Sequence, residues 1–365
     1  MALTFSRRGL LGGGLAFGVG GCAVDLHDRP PAPARACLAR PSIADDRVIR
    51  AVAGLRPYRA GGFVVRAEPL GDALLVHNYG HGGAGITLSW GSSRLAVDLA
   101  LQAARGPVAV IGAGALGLTA ARLVQEAGLP VTIYAGALPP DTTSNVAGGQ
   151  IAPFGHFSDD AVTPAWRAQF AAAMAYSWRR FQLMVGEEYG IRWLPTYESA
   201  DGGGPGPLAA YYPDRRVLTR QEHPFSVDRV ARFTTMYVET GRFLRQLMRD
   251  IQLAGGQLRV RAFASPAELM ALPERVVINC TGLGARQLFG DAGMIPVRGQ
   301  LAILLPQPEI DFAVTTGPGY MFPRADGLIL GGTFEREVWD TTPDPAAIAR
   351  IVARHRAFFE DFRCG

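Results

Sequence analysis

The sequence contains no lysine, because all 36 of its basic residues are arginine. Pyridoxal-phosphate enzymes need a lysine for their Schiff base, and P-loops need one on the phosphates, so both classes are excluded. Histidine and cysteine are also scarce, with 6 and 4 residues. None of them has the spacing of a zinc site or a CxxC motif. We therefore predict no metal site and no disulfide framework.

Charge is sparse as well: charged residues make up 19% of the 365 residues, and the formal net charge is +4. The arginines are dispersed, with no basic run longer than pairs such as Arg215–Arg216. We interpret them as a solvated surface and predict no nucleic-acid partner. A hydrophobic content of 48% in a chain of this length is sufficient for one large domain or two modest ones.

Long apolar runs are missing too. The glycine-rich stretch that follows Arg7 and Arg8 has about a dozen mildly apolar residues, fewer than the roughly 20 that span a bilayer. Two arginines before such a stretch are typical of a twin-arginine export signal, so residues 1–27 are predicted to direct export to the periplasm. A misassigned start codon or a frayed tail is the alternative.

Two further features precede the folded body. The residues that end at Cys22 resemble a lipobox, so attachment to a membrane through a lipidated Cys22 stays open. Residues 28–41 are rich in proline and poor in apolar side chains, and they are predicted to form a linker. The body is then expected to begin near Ser42.

A nucleotide-binding unit is predicted at 108–135. A buried strand, VAVIG, leads into G-x-G-x-x-G, formed by Gly112, Gly114 and Gly117. A helix and a second strand follow, which is the context that gives this motif its meaning. The helix N-terminus would then face the phosphates. Gly136 stands where an acid usually binds the ribose, so backbone, water or Asp141 must replace it.

The rest of the chain predicts a mixed sheet with helices. Amphipathic patterns indicate helices over 166–190, 241–256 and 344–362. Short apolar runs bounded by glycine and proline indicate strands near 275–279, 301–305, 319–324 and 327–334.

Several segments resemble D-amino-acid oxidases and D-aspartate oxidases. They are GLRPYR (54–59), HNYGHGGAGITLSWG (77–91), TTSNVAGGQIAPF (142–154), VINCTGLGA (277–285), VRGQ (297–300) and YMFPRADGLILGGTF (320–334). In that family the first two segments close the chain, whereas here they open it. The sequence is therefore interpreted as a circular permutation, with a wrongly joined gene or a truncated chain as alternatives.

The resemblance implies an α/β fold, with a Rossmann-like FAD-binding domain and a mixed-sheet α+β substrate domain. Residues 107–165 and 275–300 would form the FAD domain, and 166–274 with 301–343 the substrate domain. Residues 42–104 would be the permuted segment, and 344–365 a C-terminal helix.

FAD is the cofactor that the resemblance implies. The residues expected to bind it are Gly82, Gly83, Gly85, Ile86, Thr87, Gly112, Gly114, Ala115, Leu116, Gly117, Thr142, Thr143, Ser144, Gly148, Gly149, Thr281 and Gly282. The family's glutamine near the flavin is replaced by Ala152, and its second tyrosine, on a lid loop, has no counterpart in the short loop 313–319.

The resemblance also implies a substrate clamp. Arg56 and Tyr320 would bind the carboxylate of the substrate, and the backbone carbonyl of Gly83 would meet its amine. Arg59 is interpreted as structural or exposed. No further arginine is placed to bind a second carboxylate, although Arg324 is adjacent, so D-aspartate is disfavoured.

The implied reaction is oxidation of a D-amino acid by hydride transfer to the flavin, followed by hydrolysis to a 2-oxo acid and ammonia. Oxygen would be reduced to hydrogen peroxide. The alternatives are an amine or glycine-type oxidase, a dehydrogenase with another electron acceptor, and a flavin-binding protein without turnover. Assembly as a homodimer also stays open.

Overall fold

The computed structural model describes residues 37–153, 155–200, 206–316 and 319–363. The predicted export signal, Cys22 and most of the predicted linker lie outside these residues. In the part of the chain that the structure describes, no helix has the length and apolarity needed to cross a bilayer. Cys37 is disulfide-bonded, although the sequence did not imply a disulfide framework. Cys280 is a buried free thiol.

The described chain contains these strands: β1 (Val48–Arg59), β2 (Val64–Leu70), β3 (Ala73–Tyr79), β4 (Val108–Ile111), β5 (Val131–Ala135), β6 (Ile191–Ser199), β7 (Arg216–Thr219), β8 (Arg229–Val238), β9 (Gln257–Val260), β10 (Val276–Asn279), β11 (Met294–Leu304), β12 (Ala313–Thr316), β13 (Gly319–Arg324), β14 (Gly327–Gly331) and β15 (Glu335–Arg336). Its helices are α1 (Gly85–Ala103), α2 (Ala115–Glu126), α3 (Thr143–Val146), α4 (Pro164–Gln182), α5 (Thr240–Leu253), α6 (Pro266–Met270), α7 (Gly284–Phe289) and α8 (Pro345–Phe358).

Six strands form the smaller sheet, in the order β2-β3-β10-β4-β5-β9. All pairs are parallel except β2 with β3. The central strands β4, β5 and β10 are buried along their whole length, which explains why they are apolar on both faces. Helices α1 and α4 cross closely beside this sheet. Gly91 allows this close approach, since a Cβ there would lie 1.8 Å from the carbonyl oxygen of Ala173.

Nine strands form the larger sheet, in the order β1-β11-β14-β13-β12-β6-β8-β7, with β15 also paired to β11. β1 runs antiparallel to β11 from Val48, opposite Leu304, to Arg59, opposite Met294. One face packs against α8 around the fully buried rings of Phe225, Phe312 and Phe359. The other face is turned toward the smaller sheet.

The segment from β1 to α1 completes both sheets, although it precedes every other element. β1 forms an edge of the larger sheet, and β3 lies between β2 and β10 in the smaller one. Residues 37–41, predicted as linker, lie against the C-terminal helix: Arg40 Nη2 donates to the carbonyl of Glu360 at 3.1 Å. The first and last parts of the described chain are therefore in contact with each other.

The predicted α/β architecture with a Rossmann-like and a mixed sheet is confirmed. Some bounds differ: α4 ends at Gln182 rather than near 190, because Gly186 (φ +144°) turns the chain. Helix α1 begins at Gly85, within the segment 77–91 that resembles the family. The predicted domain bounds stay predictions. Strand β9, from the predicted substrate domain, pairs in the smaller sheet, and β11, which spans the predicted boundary at 300, pairs in the larger one.

Candidate active site

A cavity of about 1260 Å³ lies between the two sheets. One end is formed where the carboxyl ends of β3, β4 and β10 meet. The other end is formed by the face of the larger sheet that carries Arg56 and Tyr320. Because ligands of doubly wound folds bind outside the carboxyl ends of parallel strands, the first end is the expected cofactor position.

The turn after β4 fits a dinucleotide. Gly112 has a φ of +110°, and a Cβ there would lie 2.5 Å from the carbonyl oxygen of Cys280. The N-cap of α2 is Gly114, which has no side chain to cap the helix. The N–H of Ala115 donates to Ser144 Oγ at 3.0 Å, so the N–H groups of α2 that follow it are the ones that can bind phosphate oxygens. The turn therefore has the glycines and the helix N-terminus that a pyrophosphate of FAD requires.

The ribose position has no acid at the end of β5. Gly136 occupies it and lines the cavity, as expected from the sequence, and Asp141 lines the same end. Arg261, which follows β9, also lines this end, and its backbone N–H donates to the carbonyl of Ala135 at 2.8 Å. Asp141 and Arg261 are thus the charged side chains that line this end of the cavity.

The HNYGHGG segment lies at the end of β3, directly beside the end of β10. His77 is in register with Asn279, and His77 Nδ1 lies 3.0 Å from Asn279 Nδ2. Asn279 Oδ1 accepts from the backbone N–H of Thr281 at 3.1 Å and from its hydroxyl at 2.8 Å. A network of hydrogen bonds therefore joins two segments from opposite ends of the chain around one cavity.

His81 fixes the glycine turn that follows β3. Its Nε2 lies 2.8 Å from Ser92 Oγ, and its ring stacks on Phe63 with centroids 5.0 Å apart. Burial, with a smaller contribution from His156, lowers the pKa of His81 to about 3. Burial likewise lowers the pKa of His156 to about 4. Both rings are therefore neutral at ordinary pH, and they support the turn rather than transfer protons.

The segment after β5 closes the cofactor end. Ser144 Oγ accepts from the backbone N–H of Ala115 at 3.0 Å, which joins this segment to α2. Further along, Gly148 packs against aromatic rings: a Cβ there would lie 2.9 Å from Phe322 and 3.3 Å from Tyr320. The predicted flavin segment thus runs from the dinucleotide turn to the substrate side chains.

Of the residues predicted to bind the cofactor, all but two line this cavity. Gly117 instead packs α2 onto the turn, because a Cβ there would lie 1.9 Å from the carbonyl oxygen of Gly112. Thr87 is buried, and its hydroxyl contacts the carbonyl of Ala152 at 3.0 Å. Gly83 lines the cavity, and its N–H donates to the carbonyl of Gly155 at 3.1 Å.

Arg56 and Tyr320 lie together at the other end of the cavity. Arg56 Nη1 donates to the carbonyl of Thr333 at 3.2 Å, and the guanidinium lies 5.8 Å from the centroid of Phe334. No carboxylate of the described residues pairs with it. Burial raises the pKa of Tyr320, and the nearby Arg56 opposes that shift. A neutral hydroxyl and an unpaired guanidinium can both donate to one carboxylate.

Two glycines leave room for these side chains. A Cβ on Gly299, in β11, would lie 2.3 Å from Arg56 Nη1. A Cβ on Gly331, in β14, would lie 2.1 Å from the ring of Tyr320. The glycines of the VRGQ and GLILGG segments are therefore part of the substrate end, although neither was predicted as a site residue.

The other two arginines considered from the sequence have partners of their own. Arg59 Nε pairs with Asp291 at 3.1 Å, which agrees with a structural role. Arg324 pairs with Asp326 at 2.6 Å, and its Nη1 donates to the carbonyl of Ala147 at 3.1 Å. Neither is available to bind a second carboxylate of a substrate. Arg324 instead fixes the loop that carries Gly148.

Sequence reasoning missed several side chains that line the cavity, among them Gln150, Glu198, Tyr212 and Phe233. Gln150 lies within the segment 142–154 that resembles the family, but it was not predicted as a site residue. No motif marks the other three. Glu198 and Phe233 reach the cavity from the paired strands β6 and β8, in which Thr196 is opposite Phe233. In the described part of the chain, no cluster of side chains could hold a metal ion.

Comparison with known proteins identifies the family of this chain. The model of the FAD dependent oxidoreductase family, DAO, matches residues 4–99 and 107–364. The gap between the two matches falls at the junction of α1 and β4.

Individual proteins agree with the family match. The chain is 34% identical to a D-amino-acid oxidase of Streptomyces coelicolor, over 68% of this chain and 76% of that protein. It is 29% identical to a human D-aspartate oxidase, over 68% and 74%. The structure resembles a glycine oxidase of Geobacillus kaustophilus with a TM-score of 0.54 and 17% identity, covering 70% of this chain and 78% of the other.

Proposed function

This chain belongs to the DAO family of FAD-dependent oxidoreductases, and we propose that it oxidises D-amino acids to 2-oxo acids and ammonia with oxygen as the acceptor. One observation carries the proposal. Arg56, which has no carboxylate partner among the described residues, shares a cavity with Tyr320 and with the turn that fits a dinucleotide. FAD, when bound, supplies the acceptor for the hydride.

The chain's own residues bind and orient the substrate. Arg56 and the hydroxyl of Tyr320 would hold the α-carboxylate, which fixes Cα relative to the cofactor end. Tyr320 stays neutral and can donate, because burial raises its pKa. No group in the cavity has to act as a base, since positioning is the contribution required for hydride transfer.

The test uses the purified holoprotein without oxygen. We expect D-alanine, and not L-alanine, to bleach the visible flavin band, and readmission of air to restore it with formation of hydrogen peroxide. Bleaching by glycine alone would support a glycine-type oxidase instead. Reoxidation by a dye but not by oxygen would indicate a dehydrogenase, and a stable flavin band under every condition would indicate a flavin-binding protein without turnover.

We also propose that the chain is exported through residues 1–27. The proposal depends on Arg7 and Arg8 and on the apolar stretch after them. Replacement of both arginines by lysine should leave the full chain in the cytoplasmic fraction. If the variant still reaches the periplasm, the twin-arginine proposal is wrong.

A further inference from the structure

The face of the larger sheet that carries Tyr320 also carries a carboxylate. Tyr320 in β13 is opposite Thr315 in β12, and Thr315 is opposite Glu198 in β6. Residues opposite one another on paired strands project to the same side of a sheet. All three line the cavity. Glu198 therefore lines the same cavity as Arg56 and Tyr320, the proposed clamp for the substrate carboxylate.

Strand spacing sets the separation of these groups. Neighbouring strands lie about 4.8 Å apart, so two steps from β13 to β6 place Glu198 roughly 10 Å from Tyr320 along the sheet. An extended lysine spans about 7–8 Å from its carboxyl carbon to its Nζ, judged from ordinary bond lengths. With a hydrogen bond of about 3 Å at each end, such a molecule spans about 13–14 Å. The ring of Tyr320 lies over Gly331 in β14, on the side of β13 away from β6, so its hydroxyl is farther from Glu198 than the backbone separation.

Glu198 has one oxygen free to bind. Arg215 Nε and Nη2 both donate to Oε1, at 3.4 and 3.2 Å. Oε2 receives no hydrogen bond from the described residues, and Glu198 lines the cavity. Burial raises the pKa of this carboxyl, and Arg215 opposes that shift. The carboxylate is thus held in place on one side and open on the other.

The charged groups lining the cavity divide into two pairs. Asp141 and Arg261 lie at the adenosine end, beside Gly136. Arg56 and Glu198 lie on the face of the larger sheet, with opposite signs. A substrate with a carboxylate at one end and a cation at the other complements that second pair.

We propose that Glu198 selects substrates whose side chain ends in a cation, such as D-lysine or D-ornithine, and disfavours acidic side chains. The inference rests on the proposed function for the identity of the reaction. The binding of a molecule with a carboxylate at one end and a cation at the other does not depend on the proposed reaction.

The kinetic test compares D-lysine with D-norleucine, which has the same carbon chain without the terminal ammonium, at about pH 8.5, where the lysine ammonium is charged. We expect kcat/KM to favour D-lysine by about 10- to 100-fold, the range for a charge-assisted hydrogen bond. Glu198→Gln should remove most of that ratio. The matched control is Glu126→Gln, which also breaks an ion pair, with Arg180, but outside the cavity. It should leave the ratio unchanged.

A binding test separates this proposal from the reaction. The ligands 6-aminohexanoate and hexanoate lack the α-amine and cannot be oxidised as amino acids. Their dissociation constants for the holoprotein are measured from the shift of the flavin spectrum or by calorimetry. Tighter binding of 6-aminohexanoate supports the role of Glu198 even if no D-amino acid bleaches the flavin, and in that case only the proposed reaction fails.

Three results would overturn the proposal. The first is equal or weaker use of D-lysine relative to D-norleucine. The second is an equal effect of Glu198→Gln and Glu126→Gln on the ratio. The third is equal binding of the two ligands, or no binding of either. The third result needs only the wild-type chain, so it decides the question even if Glu198→Gln fails to fold.

Discussion

The two ends of the cavity are built by different means. The cofactor end consists of glycine turns at the carboxyl ends of β3, β4 and β10, where backbone groups and a helix N-terminus form the binding surface. The substrate end consists of side chains from β1, β6 and β13, brought together by strand pairing. The first end depends on the absence of side chains, and the second on their precise placement.

This difference predicts how each end fails. A side chain added at the cofactor end meets backbone atoms, which cannot move without loss of the fold. A side chain removed at the substrate end leaves the fold intact and removes an interaction with the substrate. Changes at the first end should therefore affect stability and flavin content, and changes at the second should affect kinetics alone.

The largest effect is expected from Gly117→Val. The added Cβ would lie 1.9 Å from the carbonyl oxygen of Gly112, so the turn must open or α2 must shift. We expect loss of bound flavin and a fall in Tm. Flavin content is read from the ratio of absorbance at about 450 nm to that at about 280 nm, and Tm from a melting curve. The control is Gly106→Val, because a Cβ on Gly106 would meet nothing within 4 Å. Full flavin content in Gly117→Val would refute the packing role of this glycine.

Arg56→Ala should have the next largest effect. Removal of a charge that binds the substrate carboxylate costs several kcal/mol, so we expect kcat/KM to fall on the order of 10²–10³-fold. Flavin content and Tm should stay unchanged. Arg50→Ala is the control, since Arg50 lies on the same strand in an exposed pair with Asp326 at 3.4 Å. A loss of flavin in Arg56→Ala with unchanged kcat/KM per flavin would contradict the division between the two ends.

Gly299→Ala should have a smaller effect at the same end. Its methyl group would lie within 2.3 Å of Arg56 Nη1, so the guanidinium must move away from its position. A displacement of about 1 Å costs up to about 10²-fold in rate, and we expect a fall in kcat/KM of about 10-fold or more. Gly241→Ala, at the start of α5, has no such contact and serves as control. Unchanged kinetics would show that Arg56 adapts without cost.

Near neutral pH, where the other variants are compared, the smallest effect is a dependence of stability on pH at the cofactor end, and it grows as the pH falls. His81 and His156 have pKa values of about 3 and about 4 in the fold, lowered by burial. In the unfolded chain their pKa is about 6.5, so below that pH the unfolded state binds more protons than the folded state. The free energy of unfolding should be full above about pH 6.5 and fall by up to about 1.4 kcal/mol per pH unit for each histidine down to pH 4.

Denaturant unfolding of the chain at several pH values measures this slope. His81→Asn removes one of the buried histidines whose pKa is lowered, and it should reduce the slope below pH 6.5. An identical slope in wild type and variant would show that His81 does not contribute.

The same contrast explains what could be predicted from the sequence. The cofactor end was readable because its information is local: Gly112, Gly114 and the HNYGHGG segment are each contiguous, and each implies its own turn. Arg56 and Tyr320 were found only through resemblance to a family. Glu198 was not found, because its position depends on the register of β6 with β12, which no short segment of sequence specifies.

Errors at helix ends have a local cause too. The apolar pattern of α4 continues past Gln182, but Gly186 ends the helix through a backbone conformation that the pattern does not reveal. The assignment of Thr87 to the cofactor stays a prediction, and its hydroxyl contacts the carbonyl of Ala152 at 3.0 Å.

The order of the segments has a consequence for synthesis. β1 and β3 leave the ribosome early, but their partners β11 and β10 follow only after almost the whole chain has been made. Until then both early strands have exposed edges, which are prone to pair with other chains. Pairing between such distant segments is also slow. We therefore expect the sheets to close only after translation, so that yield in a cell depends on chaperones that protect the first hundred residues.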